Sequence, residues 1–234
     1  MTGKFIVIEG LEGAGKSSAI AIIKDTLTAA GIDFITTREP GGTPMAEAIR
    51  ECVKQDWQEP IAQSTELLLM YAARSQLVNN IIKPELADGK WVIADRHDWS
   101  SIAYQGGGRE IDLADLRALK HITMGKFEPD FTIYLDIDPK IGLARAASRG
   151  ALDRIELAGD AFFARCRDMY LHLVRENTSK SVLIDAEQAM TEVQANVQCV
   201  VQKFIEAQVL NKTTVSEVHS QALHTSHSNK GNLC

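Results

Sequence analysis

Short apolar runs alternate along the chain with longer stretches in which apolar residues recur at helical spacing. The short runs predict five β-strands. They lie at Lys4–Glu9, Asp33–Thr37, Trp91–Asp95, Phe131–Asp136 and Ser181–Asp185. Strands that are joined through helices pair in parallel, so the pattern predicts an α/β fold with a five-stranded parallel sheet covered by helices.

The longer stretches are bounded by capping and breaking residues, as helices are. We predict helices over Ser18–Leu27, Met45–Val53, Ser64–Ile82, Pro139–Arg149, Asp160–Asn177 and Thr191–Gln208. Pro84 is predicted to lie beyond the end of the third of these. Asp112 is predicted to cap a further helix that ends at Met124, and Gly106–Gly108 to interrupt a helix that starts at Ser100.

The composition changes near Val209, where Asn, Ser, Thr, His and Lys replace most large apolar residues. We therefore predict one domain over residues 1–208 and a flexible tail over residues 209–234. The tail contains His219, His224 and His227 without an accompanying carboxylate cluster. This pattern favours a solvated tail over a metal site.

The overall composition excludes some classes of function. The chain has 234 residues and a net charge of −6, which disfavours a general nucleic-acid binder but not a small anionic ligand. No apolar run has the length of a membrane span. The four cysteines lack metal-ligand or disulfide-framework spacing, which favours free thiols in a reducing cytoplasm.

The main chemical signal is the pattern G-x-x-x-x-G-K-[ST] between the first strand and the first helix. We predict that the loop binds the phosphates of ATP through Gly10, Leu11, Glu12, Gly13, Ala14, Gly15, Lys16 and Ser17. Lys16 reaches the β- and γ-phosphates in such loops, and the Ser17 hydroxyl ligates Mg²⁺. The strand and helix on either side disfavour a chance match. They predict a P-loop NTPase-type, three-layer α/β/α fold.

Charged residues at the ends of the predicted strands are further candidates, because ligands of open α/β sheets gather there. Asp95 ends the third strand and is predicted to support Mg²⁺ together with Ser17. Arg96 suits a phosphate because its planar fork matches that group. The alternative is a surface ion pair between Asp95 and Arg96. For His97, a local hydrogen-bonding role is at least as well supported as catalysis.

A second basic cluster comprises Arg145, Arg149 and Arg154 and lies around a polar connector. A helix–loop–helix with arginines predicts a helical lid over about residues 149–159, which would place positive charge on the transferring phosphoryl group. A solvated charged face is the alternative.

The class of phosphate-loop protein follows from motifs that are absent. No Asp-x-x-Gly occurs in the sequence, and Asn211–Thr214 lacks the Asp of the guanine-reading Asn-Lys-x-Asp motif. A regulatory GTPase is therefore disfavoured. The small size, the predicted lid and the arginines near the second and third strands favour a kinase that holds two phosphorylated ligands.

Several spaced motifs together resemble one family, bacterial thymidylate kinases. Besides the phosphate loop they are Thr37–Thr43 (Thr-Arg-Glu-Pro-Gly-Gly-Thr), Tyr71–Arg74, Asp95–His97, Ala103–Arg109 and Leu152–Glu156. The resemblance runs in order from Lys4 to about Gln208. It implies phosphorylation of dTMP to dTDP by ATP with Mg²⁺, in a homodimer. The composition indicates a cytoplasmic protein that binds neither nucleic acid nor membranes.

The resemblance also implies roles for single residues. It implies that Arg96 holds the acceptor phosphate and that Arg38 helps to hold it. Arg74 and Ser101 are expected to contact thymine. At the sugar, Tyr104 is expected to crowd the 2′ side and Glu12 to accept a hydrogen bond from the 3′-hydroxyl.

At two positions this chain can be compared with differences among members of the family. Some members carry an arginine in the phosphate loop, where this chain has Gly13. The lid residues Arg149 and Arg154 are then expected to supply the charge at the transition state. Met70 stands where the family commonly has a phenylalanine that stacks on thymine, and a thioether can still cover a ring face.

Two alternatives to a dTMP kinase stay open. A deoxynucleoside kinase acting on thymidine would need a carboxylate base and fewer arginines near the acceptor, so the cluster of Arg38, Arg74 and Arg96 favours a monophosphate. A non-catalytic P-loop switch would bind ATP without acceptor-dependent release of ADP.

Overall fold

The computed structural model describes residues 3–148, 150 and 153–227. Five strands form one sheet in the order β2-β3-β1-β4-β5, and all neighbouring pairs are parallel. The strands are β1 (Phe5–Gly10), β2 (Phe34–Arg38), β3 (Trp91–Asp95), β4 (Phe131–Asp136) and β5 (Ser181–Asp185). The predicted five-stranded parallel sheet is therefore confirmed.

Nine α-helices and two π-helical segments connect the strands in the described part of the chain. The α-helices are α1 (Lys16–Ala29), α2 (Pro44–Lys54), α3 (Gln63–Leu77), α4 (Lys83–Ala87), α5 (Asp98–Ser101), α6 (Leu113–Met124), α7 (Pro139–Ala147), α8 (Asp160–Glu176) and α9 (Met190–His227). The π-helical segments are Val78–Ile82 and Ile102–Gly108.

Two hydrophobic clusters cover the two faces of the sheet. Alternate side chains of a strand point to opposite faces. Ile6 of β1 packs in one cluster with its β3 neighbour Ile93, whereas Phe5 packs in the other cluster with Val92. The sheet is thus buried on both sides, as expected of three layers, and its carboxyl edge is left for a site.

Three expectations about helix boundaries were wrong. The helix that was expected to stop before Pro84 continues through the π-helical segment Val78–Ile82 into α4, where Pro84 occupies the first turn. Pro84 has no N–H to donate, and the helix is widened immediately before it: the N–H of Lys83 donates to the carbonyl of Val78, five residues earlier.

The glycines that were expected to interrupt a helix instead belong to the π-helical segment Ile102–Gly108. A Cβ at Gly107 would lie 2.9 Å from the carbonyl oxygen of Arg165, and one at Gly108 would lie 2.3 Å from the ring of Phe162. The missing side chains let α8 pack directly against this segment.

The closing helix is longer than predicted. Helix α9 extends to His227, well past the predicted end at Gln208. The backbone of residues 209–227 is therefore helical, while residues 228–234 lie outside the described residues. The division into a domain and a flexible tail stays a prediction. Among the described helices, none combines the length and the apolar character needed to cross a membrane.

Candidate functional site

A cavity of about 310 Å³ opens at the carboxyl edge of the sheet, where β1 and β3 end. It brings together most of the residues that the sequence predicted, namely Glu12, Gly13, Gly15, Lys16, Ser17, Met70, Arg74, Asp95, Arg96, Ser101 and Tyr104. Glu39, Pro40, Arg50, Val53, Lys54, Ser100, Gln105, Asp153, Ile155 and Glu156 complete the lining. The phosphate loop and the candidate acceptor residues thus share one cavity.

The phosphate loop takes the conformation that its glycines allow. Gly13 and Gly15 have φ angles of 73° and 88°, in the left-handed region that favours glycine. Helix α1 begins at Lys16, so the N–H groups of its first turn face the loop. Gly10, Leu11 and Ala14 do not line the cavity; they form the base of the loop, and Leu11 and Ala14 are buried.

Lys16 is the cation at the centre of this loop. Its ammonium donates hydrogen bonds to the carbonyl oxygens of Gly10 at 3.0 Å and Leu11 at 2.9 Å. Burial, and secondarily the positive charge of Arg96, lower the pKa of Lys16 to about 8. A bound triphosphate would favour the charged form and offset this cost.

Asp95 and Ser17 fit the predicted Mg²⁺ site. Both line the cavity, and the buried Oδ1 atom of Asp95 receives no hydrogen bond within the described part of the chain. Such an atom is costly to bury without a partner, and a hard cation would satisfy it. No group of three or more His, Cys, Asp or Glu side chains suited to a metal occurs among the described residues.

Arg96 is held in place by its backbone and by two acceptor-side residues. Its φ angle of 70° is unusual for a residue with a side chain. The guanidinium donates to Glu12 at 2.7 Å and lies 5.0 Å from the centre of the Tyr104 ring. The Tyr104 hydroxyl donates to the other Glu12 oxygen at 2.6 Å. Arg96 therefore pairs with Glu12, and the alternative of an Asp95–Arg96 surface pair is wrong.

These contacts fix the charge state of Arg96. Burial alone would lower the pKa of Arg96, but Tyr104 and Glu12 outweigh burial and hold it well above its ordinary value. Burial also raises the pKa of Tyr104 far above the ordinary value of a phenol. Arg96 is consequently a permanent cation, and Tyr104 is a neutral donor.

Glu9 is buried and binds residues that surround Arg96, and it was not singled out from the sequence. Its buried carboxylate accepts from the His97 backbone N–H at 2.8 Å, the Ser100 hydroxyl at 2.6 Å and the Tyr170 hydroxyl at 2.9 Å. Burial raises the pKa of Glu9. A carboxylate inside an otherwise apolar strand was the available signal, because such a group needs partners.

Arg74 is paired rather than free. Its Nε donates to Glu39 at 2.6 Å, and one terminal nitrogen donates to the Ser101 hydroxyl and to the His97 carbonyl, both at 3.0 Å. His97 Nδ1 lies 2.7 Å from the second Glu39 oxygen, which gives His97 the local hydrogen-bonding role. Arg74 and Ser101 thus form one unit at the wall of the cavity.

Two predicted arginines, Arg38 and Arg154, do not line the cavity. Arg38 pairs with Glu47 at 2.9 Å and is 55% exposed. Arg154 donates to Glu66 at 2.7 Å and to the Val53 carbonyl, and it does not line the cavity. Arg149 lies outside the described residues. The described residues 153–159 of the predicted lid form turns rather than a helix.

Arg50 is a lining residue that the sequence reasoning missed. It lies on α2 and donates to the Pro40 carbonyl at 2.8 Å. The only signal was its place on the helix that follows the loop after β2, one turn before Lys54, which also lines the cavity.

Comparison with known proteins agrees with this geometry. A family model described as thymidylate kinase matches residues 8–197. A thymidylate kinase of Haemophilus ducreyi is 57% identical over 206 residues, 88% of this chain and 96% of the relative. One of Alteromonas mediterranea is 55% identical over 205 residues, 88% of this chain and 92% of the relative. One of Colwellia psychrerythraea is 58% identical over 205 residues, 87% of this chain and 96% of the relative. The chain belongs to the thymidylate kinase family.

Proposed function

We propose that this protein transfers the γ-phosphoryl group of ATP to dTMP and releases dTDP and ADP. One observation carries the proposal: Lys16 of the phosphate loop and the permanent cation Arg96 line the same cavity. A donor phosphate on one side and an acceptor phosphate on the other can therefore meet within it. Membership of the family supplies the identity of the acceptor.

On the donor side, the residues position and neutralise the triphosphate. The loop N–H groups and the start of α1 cradle the phosphates, and Lys16 binds the transferring group. Ser17 and Asp95 would hold Mg²⁺, which when bound neutralises charge on the phosphates. Phosphoryl transfer asks for little covalent work from the protein, so positioning and electrostatic stabilisation carry most of the catalysis.

On the acceptor side, Arg96 and Arg50 supply positive charge for the dTMP phosphate. Met70 and the Arg74–Ser101 unit form the wall proposed for thymine. Tyr104 and Glu12 would meet the sugar and discriminate against a ribose. No general base is required, because the attacking phosphate oxygen is already anionic.

The arginines that favour a monophosphate differ from those expected. Arg38 lies away from the cavity, and Arg74 is paired with Glu39 and only 3% exposed. Arg96 is also paired, with Glu12, but it is 15% exposed, and Arg50 donates to a backbone carbonyl rather than to a carboxylate. A thymidine kinase would need a carboxylate free to accept a proton, whereas both oxygens of Glu12 already accept hydrogen bonds from Arg96 and Tyr104. The geometry therefore supports a monophosphate acceptor.

The test measures ADP formed from MgATP in the presence of dTMP, dUMP, dGMP, AMP or thymidine, each alone. Stimulation by dTMP that exceeds all the others is expected, and Lys16→Ala should abolish it while the circular dichroism spectrum stays unchanged. A preference for thymidine would indicate a nucleoside kinase. ADP release without acceptor dependence would indicate the switch.

We further propose a homodimer that acts in the cytoplasm. Leu68 on α3 and Ile122 on α6 are 54% and 77% exposed. Because α3 and α6 pack together, the two side chains can contribute to one apolar surface for a second copy. Light scattering should give twice the monomer mass, and Leu68→Glu should shift it towards the monomer. ATP and dTMP are intracellular metabolites, which favours the cytoplasm.

A further inference from the structure

Helix α3 places three polar or ligand-facing residues one turn apart on a single face. They are Glu66, Met70 and Arg74, and a spacing of four residues stacks side chains along a helix. Met70 and Arg74 line the cavity. Glu66, one turn earlier, is only 2% exposed and does not line it. A carboxylate is therefore buried just beyond the wall proposed for thymine.

The Glu66 carboxylate gathers donors from two other parts of the chain. It accepts from Gln105 at 3.0 Å, from Arg109 at 3.3 Å and from Arg154 at 2.7 Å. Burial alone would raise the pKa of Glu66, but the hydrogen bonds from Gln105, Arg109 and Arg154 outweigh it and lower the pKa. Glu66 is thus a carboxylate at neutral pH, and its shortest bond is to Arg154.

Arg154 belongs to a short segment that covers the cavity, here called the covering turn (residues 153–158). Asp153, Ile155 and Glu156 of this turn line the cavity. Asp153 shapes the turn by accepting from the N–H groups of Ile155 and Glu156, both at 3.0 Å. The turn is attached to the rest of the protein through Arg154 and through Asp153, which pairs with Lys54 at 2.7 Å.

These two attachments differ in strength. Lys54 and Asp153 are 36% and 23% exposed, so water screens their pair. Arg154 makes a charge-assisted bond to a buried carboxylate and also donates to the Val53 carbonyl. The stronger attachment of the covering turn therefore runs through Glu66.

We propose that Glu66 is a positioning residue that fixes the covering turn over the acceptor site through Arg154. In this arrangement Arg154 does not touch the reacting phosphates; it holds Ile155 and Glu156 at the cavity. The kinetic part of the proposal rests on the proposed function, whereas the structural part does not.

The first experiment compares Glu66→Gln with the wild-type protein by amide hydrogen exchange and steady-state kinetics. Gln keeps the size and one acceptor but loses the charge, so exchange at residues 153–158 should accelerate about 10-fold. Exchange in β1 and β4 should stay unchanged. The KM for dTMP should rise about 10-fold, while kcat changes less. Glu128→Gln, which removes a half-exposed partner of Lys120, is the matched control and should change neither readout.

The second experiment adds Arg154→Met and the double variant. If Glu66 acts through Arg154, the effects on exchange and on the KM should overlap, so that the double variant resembles the single ones. Multiplicative effects, or unchanged exchange at residues 153–158 in Glu66→Gln, would overturn the proposal. If Glu66→Gln does not fold, Arg154→Met alone tests the proposal. A lower kcat in Arg154→Met, with an unchanged KM for dTMP and wild-type exchange at residues 153–158, would contradict it. Exchange is informative even if dTMP proves not to be the acceptor.

Discussion

Gly13 of the phosphate loop lies against Gly142 of α7 so closely that a Cβ at Gly13 would be 2.1 Å from the Gly142 carbonyl oxygen. Conversely, a Cβ at Gly142 would be 2.4 Å from the carbonyl oxygen of Glu12. No real Cβ approaches backbone this closely, so the two glycines fix how near α7 comes to the loop. A loop side chain at position 13 is thus excluded by the packing of α7.

Gly13→Ala is therefore expected to damage both stability and catalysis. The left-handed φ costs about 1 kcal/mol with a side chain, and the clash must be relieved by moving the loop or α7. We expect the KM for ATP to rise by at least about 10-fold and the melting temperature to fall. Gly31→Ala is the matched control, because Gly31 has a φ of 65° and a Cβ added there would meet no atom within 4 Å. Gly31→Ala should lower the melting temperature only by the effect of the backbone strain and should leave the KM for ATP unchanged.

The pKa of Lys16 predicts how ATP use depends on pH. Burial lowers this pKa to about 8, so the ammonium in the free enzyme loses its proton as the pH rises through 8. The value of kcat/KM for ATP should then fall with a slope near −1 above pH 8, whereas kcat should stay flatter because bound phosphates favour the charged form. Lys16→Arg, which stays charged, should be slower and lack this inflection. A flat wild-type profile up to pH 10 would contradict the assignment.

Asp95→Asn tests the metal site through the Mg²⁺ requirement. The Oδ1 of Asp95, which receives no hydrogen bond from the described residues, is expected to help to hold Mg²⁺, directly or through water, so the Mg²⁺ concentration for half-maximal activity should rise about 10–100-fold. Asp136→Asn removes a carboxylate that also ends a strand but is bound by Arg167 at 2.8 Å and 2.9 Å. It should leave the Mg²⁺ dependence as in the wild type. Equal Mg²⁺ curves for Asp95→Asn and the wild type would remove Asp95 from the site.

Local patterns predicted the sheet and the centre of the site. The bounds of β3 and β4 agree with the apolar runs residue for residue, because buried parallel strands read as short continuous apolar segments. Asp95, Arg96 and the phosphate loop were found for a related reason: parallel strand ends meet at one edge, so their positions follow from the order of elements.

Local patterns could not predict pairings between residues that are far apart in the sequence. From the sequence, Arg154 was expected to contact a phosphate. In the structure it pairs with Glu66, which lies 88 residues earlier in the chain. Buried acids on helices, such as Glu66, look like surface acids in a sequence. Their burial depends on donors that tertiary packing alone assembles, and the same holds for the close approach of α8 to Gly107 and Gly108.

The buried pair of Arg74 and Glu39 should contribute strongly to stability when tested one partner at a time. The two side chains are 3% and 4% exposed and are joined at 2.6 Å. Arg74→Met leaves the buried Glu39 carboxylate with His97 as its remaining side-chain partner among the described residues and should lower the free energy of unfolding by about 3–5 kcal/mol, measured by urea denaturation. Glu39→Gln should have a similar cost. The double variant should cost less than the sum, since it leaves neither charge buried alone.

The same pair predicts how the free energy of unfolding depends on pH in the acidic range. Burial alone would raise the pKa of Glu39, but the charges of Arg74 and His97 outweigh it and lower the pKa below the ordinary 4.5. The unfolded chain therefore takes up a proton at this residue before the folded one does. The contribution of Glu39 is fully present above pH 4.5 and is lost as the pH falls through its folded value. In Glu39→Gln, the slope of unfolding free energy against pH below 4.5 should be shallower than in the wild type, and an unchanged slope would show that another carboxylate governs acid stability.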